Sequence, residues 1–243
     1  MRTLAFSNRC VKEILRDPLS LSFGLGFPLI LLFLLSTISK NIPNDLFQIE
    51  TLAPGIPVFG LSFMTLFSAT LIAKDRESAL LQRLFTTPLT ATDFIIGYMV
   101  SMLPIAVIQT VICYLFAVPL GLNMCVNIVY SIVAIIPMAV FNISFGLLCG
   151  SLLSVKQVGG ICGALLTNLS AWFSGIWFDP DLAGGTFKWI SDILPFSHAV
   201  EMEIALYHGN FEIATQHILP IVLYSLLTTL LAVLCFLKRM KKQ

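Results

Sequence analysis

The most regular feature of the chain is a series of long apolar runs separated by short polar segments. About 20 uncharged residues are enough for one helical crossing of a bilayer. Residues 94–155 contain no Asp, Glu, Lys or Arg, which suits two crossings separated at the PLGLN turn of residues 119–123. The pattern therefore predicts six membrane-spanning helices, at residues 19–38, 54–73, 94–118, 126–153, 158–178 and 218–237.

Residues 1–18, before the first apolar run, have an amphipathic pattern. As a helix, they place Leu4 and Ile14 on one face and basic residues such as Arg9 and Lys12 on another, which is typical of a helix lying flat at a membrane interface. Charges of both signs, and the lack of a small-residue cleavage site after the first run, favour a retained span over a removable signal peptide.

Composition agrees with a membrane protein, because 57% of the residues are apolar and only 11% are charged. Six crossings place both termini on one side, and only Lys40 and Lys188 of the basic residues fall on the other side. The positive-inside bias therefore predicts cytoplasmic termini and an outer loop at residues 179–217. The basic residues on the predicted cytoplasmic side are Arg2, Arg9, Lys12, Arg16, Lys74, Arg76, Arg83, Lys156, Lys238, Arg239, Lys241 and Lys242.

The predicted spans contain no ionisable acid or base, which disfavours an ion-coupled carrier because carriers usually place such groups inside the bilayer. Their polar residues Gln109, Asn142 and Asn168 suit either helix–helix contacts or a substrate pathway. No GxxxxGK[ST] phosphate-binding loop is present, so any ATP hydrolysis is expected in a separate subunit.

An intramembrane hydrolase is the competing class of protein. His198, Glu201, His208 and His217 could be metal ligands, but no HExxH arrangement occurs. Ser174 lacks a histidine partner in another span. We therefore expect no catalytic residues and no metal site. The six scattered cysteines are expected to be small buried hydrophobic residues.

Residues 74–93, KDRESALLQRLFTTPLTATD, form a charged, helix-prone segment between the second and third spans. Projected as a helix, this segment places Leu80, Leu81 and Leu84 in one stripe with Glu77 at its amino-terminal end. Two interpretations remain open. Glu77 is either a first-turn acid favoured by the helix dipole, with the stripe on lipid or neighbouring spans, or it meets a basic group of a soluble partner into which the stripe docks.

Three stretches together resemble the membrane subunit of type-2 ABC exporters: APG at residues 53–55, AKDRESALLQRLFTTPLTATDFIIGY at 73–98, and SGIWFDPDLAGGTFKWISDILPFSHAVE at 174–201. The resemblance implies one all-α transmembrane domain over residues 1–243, with six spans, an interfacial amino-terminal helix, a coupling helix and an outer loop of short re-entrant helices. It also implies that a second permease copy or a paralogue pairs with this chain. A separate ATPase subunit would bind ATP and Mg, so this chain itself would hold no cofactor.

The resemblance also implies roles for individual residues. Arg9, Lys12 and Glu13 lie on the connecting helix, and Trp177, Phe178 and Trp189 form an outer gate, although an ordinary interfacial aromatic belt explains these aromatics equally well. The ATPase contact falls on Asp75, Arg76, Glu77, Leu80, Leu81, Arg83 and Leu84. Ala79-Leu80 stands where the family commonly has Gly-Thr, and Gln82 stands where it often has Glu.

The expected function is that of a permease subunit which exports a lipophilic or amphiphilic compound, such as a drug, antibiotic or lipid, across the plasma membrane. The expected partners are the ATPase, the second permease and the lipid membrane, with no nucleic acid. The alternatives are a non-transporting membrane subunit in lipid or resistance signalling, or an ion-coupled carrier.

Overall fold

The computed structural model describes residues 2–40, 47–78, 80, 89–177 and 180–240, and these residues are largely helical and contain no strand. A π-helical segment, Gly159–Leu165, joins the helices Val155–Val158 and Leu166–Phe173, and a 3-10 turn, Val118–Leu120, follows the helix Ala91–Ala117. The α-helices in chain order are α1 (Arg2–Leu15), α2 (Pro18–Ser39), α3 (Ile49–Gly60), α4 (Ser62–Glu77), α5 (Ala91–Ala117), α6 (Asn127–Ala134), α7 (Ile136–Leu152), α8 (Val155–Val158), α9 (Leu166–Phe173), α10 (Pro180–Ala183), α11 (Gly185–Ile193), α12 (Pro195–Tyr207) and α13 (Phe211–Met240).

Five stretches of the described residues are long and apolar enough to cross a bilayer. They overlap the predicted first, second, third, fourth and sixth spans, so the all-helical membrane class is confirmed. The stretches are Leu21–Ser39, Ile49–Glu77, Ala91–Leu120, Asn127–Leu152 and Phe211–Arg239.

The predicted fifth span, residues 158–178, differs from the structure. The chain is helical there through α8, the π-helical segment and α9, but it leaves the helix after Phe173, and Gly175 has a φ of 80°. Gly159, Gly160 and Gly163 lie in the π-helical segment, and their low helix propensity favours departure from regular α geometry. A sixth crossing stays a prediction.

The α3–α4 pair lies at the centre of the bundle. In its apolar stretch 89% of the residues are buried, whereas in the apolar stretch of α13 only 22% are buried. Helix α4 packs most closely on α7, where glycines face its backbone. A Cβ atom added to Gly146 would lie 2.2 Å from the carbonyl oxygen of Thr65, and one added to Gly150 would lie 2.2 Å from that of Ala69. Such small residues let two helix backbones approach each other, which is the common way to associate helices in a membrane.

The ends of several helices meet at one end of the bundle, which we call the basic end. Arg76 of α4 donates to the carbonyl oxygen of Ser151 in α7, and Arg239 near the end of α13 donates to that of Leu152. The exposed basic side chains at the ends of these helices and of α1 and α8 are Lys12, Arg16, Lys74, Lys156, Lys238 and Arg239.

Candidate coupling site at the basic end

A charged network joins the amino-terminal helix α1 to the end of α4. The terminal nitrogens of Arg9 donate to the two carboxylate oxygens of Asp75, Nη1 to Oδ2 at 2.6 Å and Nη2 to Oδ1 at 2.5 Å. Tyr98 in α5 donates its hydroxyl proton to the same carboxylate at 2.7 Å. Asp75 is only 2% exposed, so these partners supply the hydrogen bonds that water would otherwise give it.

Electrostatics favour the charged form of Arg9 in this network. Its hydrogen bonds with Asp75 raise the pKa of the guanidinium, an effect that outweighs its partial burial. Glu13, one helical turn further along α1, also accepts a hydrogen bond from Arg9. Burial, and then the charge of Asp75, raise the pKa of the Glu13 carboxyl. Three elements, α1, α4 and α5, therefore meet at one charge pair whose carboxylate is buried.

Aromatic packing fixes α1 on α5 beside this network. The ring of Phe6 meets those of Phe94 and Tyr98 edge-on, with centroids 5.2 and 4.9 Å apart. The absence of a side chain at Gly97 makes room for Phe6, because a Cβ atom there would lie 2.6 Å from its ring. Such edge-to-face pairs add to the burial of the apolar area.

Helix α4 is also tied to the connection between α7 and α8. Arg76 donates to the carbonyl oxygens of Ser151, in the last turn of α7, and of Leu153, which caps that helix. Glu77 accepts a hydrogen bond from the backbone N–H of Val155 at 2.9 Å, at the start of α8. All three bonds satisfy backbone groups that the ends of helices leave unpaired.

These contacts change the prediction for the start of the coupling helix. The helical projection treated the segment of residues 74–93 as a helix of its own, and one interpretation placed Glu77 in its first turn. In the structure, Glu77 is the last residue of α4 and Ser78 caps that helix, so the interpretation of Glu77 as a first-turn acid is wrong. The membrane-spanning helix continues through Asp75 and Arg76 because both side chains find partners inside the protein.

The other residues predicted to contact an ATPase differ in what the structure shows. Leu80 is helical and partly buried, whereas Leu81, Arg83 and Leu84 lie outside the described residues. On α1, Lys12 is exposed and Arg9 and Glu13 are half-buried. The ATPase contact itself stays a prediction for all of them.

The three candidate polar residues of the spans have different environments. Asn142 in α7 accepts a hydrogen bond from the Thr65 hydroxyl at 3.0 Å, so it lies at the contact between α4 and α7. Gln109 is fully buried in α5, and among the described residues neither of its amide atoms has a hydrogen-bond partner. Asn168 is exposed and donates to the carbonyl oxygen of Ala164 in its own helical segment.

An apolar cavity of about 270 Å³ lies where α4, α7, α9, α12 and α13 meet. Its polar lining includes Asn142 and Thr65, and its aromatic lining includes Phe141, Phe196 and Tyr224. A cavity of this size with few polar groups suits part of a lipophilic molecule.

The predicted outer gate is only partly described. Trp177 packs edge-on against Phe59 of α3 with ring centroids 6.1 Å apart, and Trp189 on α11 is 64% exposed. Phe178 lies outside the described residues. The two tryptophans therefore have separate surroundings, one packed on the bundle and one open.

Two further groups of residues lie outside the coupling site. His198, Glu201 and His217, which the sequence pattern offered as metal ligands but without a recognised motif, lie together although they are on two helices. Glu203 of α12 is fully buried, 3.3 Å from the hydroxyl of Tyr114 in α5. The sequence places Glu203 in a loop between spans, and only the packing of α12 against α5 and α6 reveals its burial.

The fold and the braced basic end define a multi-pass helical membrane protein whose charged residues gather at one end of the bundle. The sequence model of the ABC-2 type transporter family matches residues 1–208. The chain therefore belongs to the ABC-2 type transporter family, and the resemblance seen in the sequence is confirmed. Members of this family are membrane subunits of transporters and normally work with an ABC ATPase.

One curated relative supports the same assignment. The chain is 34% identical over 113 residues to a protein of Pyropia yezoensis named "Putative transport permease ycf38". The matched region covers 44% of this chain and 39% of that protein. The chain thus matches less than half of the length of this relative.

Proposed function

We propose that this chain is the permease subunit of an ATP-driven exporter that moves a lipophilic or amphiphilic compound, such as a drug, an antibiotic or a lipid, out of the cell. Membership in the ABC-2 type transporter family supports the transport role. The apolar cavity between α4, α7 and α13 supports a cargo of low polarity.

The proposed topology has six spans in the plasma membrane, with residues 155–173 as the core of the fifth. Both termini and the basic end are cytoplasmic, in line with the positive-inside bias. The short helices α10, α11 and α12 then belong to an outer loop that dips into the outer leaflet, with Trp177, Phe178 and Trp189 at an exit gate.

An ATPase subunit that binds ATP and Mg docks at the basic end and contacts residues 76–84, while the buried Asp75 holds the end of α4 in place. A second permease copy or a paralogue completes the pathway.

The observation that carries the mechanism is the set of hydrogen bonds that hold the end of α4. Because Asp75 is bonded to α1 and α5, and Arg76 and Glu77 to the α7–α8 connection, a push on the residues after α4 reaches four elements together.

Co-purification with ATPase subunits and stimulated ATP hydrolysis test this proposal. Glu77→Gln keeps an oxygen that can accept from the Val155 N–H but loses the charge, whereas Glu77→Ala loses both. If Glu77 meets a basic group of the ATPase, both variants weaken the complex, and combining Glu77→Ala with Leu81→Ala weakens it further. Glu212→Ala, an exposed change at the start of α13, serves as the control.

The proposal fails if the wild-type chain co-purifies with no ATPase subunit, or if the Glu77→Ala/Leu81→Ala variant keeps full complex formation and stimulated turnover. If only Glu77→Ala weakens the complex, the role of Glu77 is confined to its bond within this chain. Accumulation of labelled compounds in cells, with the ATPase site intact or inactivated, separates an exporter from a non-transporting signalling subunit.

One observation favours the ion-coupled carrier as a second candidate. Glu203 is a fully buried acid that packs against Tyr114 of α5. A carrier that uses this acid would lose gradient-driven transport in Glu203→Gln and would keep transport when the ATPase is inactivated. An exporter shows the reverse dependence on the ATPase.

A further inference from the structure

Three side chains that could ligate a metal ion lie together between α12 and α13. His198 is in the first turn of α12, Glu201 follows one turn later, and His217 is in the second turn of α13. The Nδ1 atoms of the two histidines are 2.9 Å apart, and Nε2 of His217 is 3.2 Å from Oε2 of Glu201. Taking one ligand atom from each residue, all three atoms lie within 4.8 Å of one another.

The environment of this cluster suits an ion that enters from solvent. The side chain of His217 is 17% exposed and that of Glu201 is 54% exposed, so one side of the cluster is open. The cluster also lies far from the basic end, because His217 is in the second turn of α13 and Arg239 is near the other end of that helix. No contact of the proposed coupling site uses these side chains.

We propose that His198, Glu201 and His217 bind a divalent transition-metal ion of the zinc type. Imidazole nitrogen and carboxylate oxygen are ligands that such an ion prefers, and two histidines with one glutamate form a known three-ligand set with a position left for water. Metal bonds of about 2.0–2.1 Å in tetrahedral geometry place two ligand nitrogens roughly 3.3 Å apart. If both Nδ1 atoms bind, the two imidazole rings need to separate by only a few tenths of an ångström. Glu201 faces Nε2 of His217, so its carboxylate must turn toward Nδ1 to complete the set, over a distance that its exposed side chain can cover.

An ion at this cluster would also join two helices. The Nδ1 atoms of His198 and His217 are at hydrogen-bond distance, so one ring donates to the other. A metal ion takes the place of the proton between them and joins α12 to α13, so binding stabilises the packing of these two helices.

Calorimetric titration of the purified chain with zinc chloride tests this site. The chain is purified with a tag that contains no histidine, and bound metal is removed with a chelator before the titration. Wild type should bind one zinc ion per chain, and His198→Ala and His217→Ala should each weaken binding at least tenfold. Glu201→Gln should weaken binding by a smaller factor. Zinc should also raise the Tm of wild type and leave that of the His198→Ala/His217→Ala double variant unchanged.

His208→Ala is the matched control, because His208 is the remaining histidine of the chain and lies outside the cluster. This variant should bind zinc like wild type. The proposal is overturned if wild type binds no zinc beyond the level of the double variant, or if His208→Ala lowers the affinity as much as His198→Ala. A variant that unfolds is recognised from its loss of a thermal transition, and Glu201→Gln then decides the question. Neither measurement depends on transport or on an ATPase.

Discussion

Arg9 and Asp75 are 66 positions apart in the sequence, yet both terminal nitrogens of Arg9 donate to the carboxylate of Asp75. This pair connects the amino-terminal helix α1 to the end of the most buried membrane helix. Since Tyr98 donates to the same carboxylate, the third span is part of the connection as well. The basic end is therefore a braced unit and not a set of independent helix ends.

Removing Arg9 should destabilise the protein strongly. Arg9→Leu leaves the buried Asp75 carboxylate without its cation, and breaking such a pair typically costs about 3 kcal/mol of unfolding free energy. The Arg9→Leu/Asp75→Leu double variant should recover much of that loss, because no unpaired charge remains. Thermal unfolding in detergent measures both effects. Lys12→Leu, an exposed change on the same helix, is the control, and an equal loss in that variant would contradict the role of the pair.

The glycines of α7 should not tolerate even one added carbon. Gly146→Ala and Gly150→Ala each place a Cβ atom 2.2 Å from a carbonyl oxygen of α4, so the two helices must separate. We expect a loss of about 2 kcal/mol for each change, as for other overpacked cores.

Gly26→Ala in α2 is the matched control for the α7 glycines, because nothing lies within 4 Å of the added atom. It should be neutral or raise the stability by up to about 1 kcal/mol through better helix propensity. Thermal unfolding of the three variants decides the comparison. Equal stability of all three would show that α4 and α7 do not pack as closely as described.

The sequence predicts five of the six spans well because their length and lack of charge are local properties. The same local reasoning fails at Asp75, since a charge next to an apolar run is normally exposed. Asp75 is buried because it pairs with Arg9, and the distance between the two residues in the sequence gives no sign of that contact.

Similarly, His198 and Glu201 are three residues apart and share a helix, but His217 joins them only through the packing of α12 on α13. The closely spaced glycines Gly159, Gly160 and Gly163 are the local sign of the irregular helix at residues 158–178, where the hydrophobicity of the run alone predicts a regular span.

Gln109→Met separates the two interpretations of Gln109. The side chain is buried beside Gly60 and Pro28, and no described group pairs with its amide. If Gln109 is only part of the helix packing, Met keeps its shape and removes two unpaired polar atoms, which should raise stability by about 1–2 kcal/mol. If Gln109 also lines a substrate pathway, transport by the intact complex should fall in this variant, although its stability rises. Thermal unfolding and a transport assay on the same variant distinguish these outcomes.

The buried Glu203 should make stability depend on pH. Burial disfavours the carboxylate and raises the pKa of Glu203 well above its usual value of 4.5. Above pH 4.5 the folded protein therefore binds more protons at this site than the unfolded chain does. The stabilisation is full below that pH and is lost as the pH rises towards the folded pKa. The Tm of wild type should fall over this window.

Glu203→Gln should remove this dependence, because the amide is neutral at every pH and preserves the shape of the side chain. The hydroxyl of Tyr114, 3.3 Å from the carboxylate, remains available to donate to the amide oxygen. The Tm of this variant should therefore change less with pH than that of wild type and exceed it at the alkaline end. Glu212→Gln, an exposed change in α13, should follow the wild-type curve. Parallel curves for wild type and Glu203→Gln would mean that Glu203 ionises in the folded protein as readily as in the unfolded chain, and that its carboxylate is not shielded by α5.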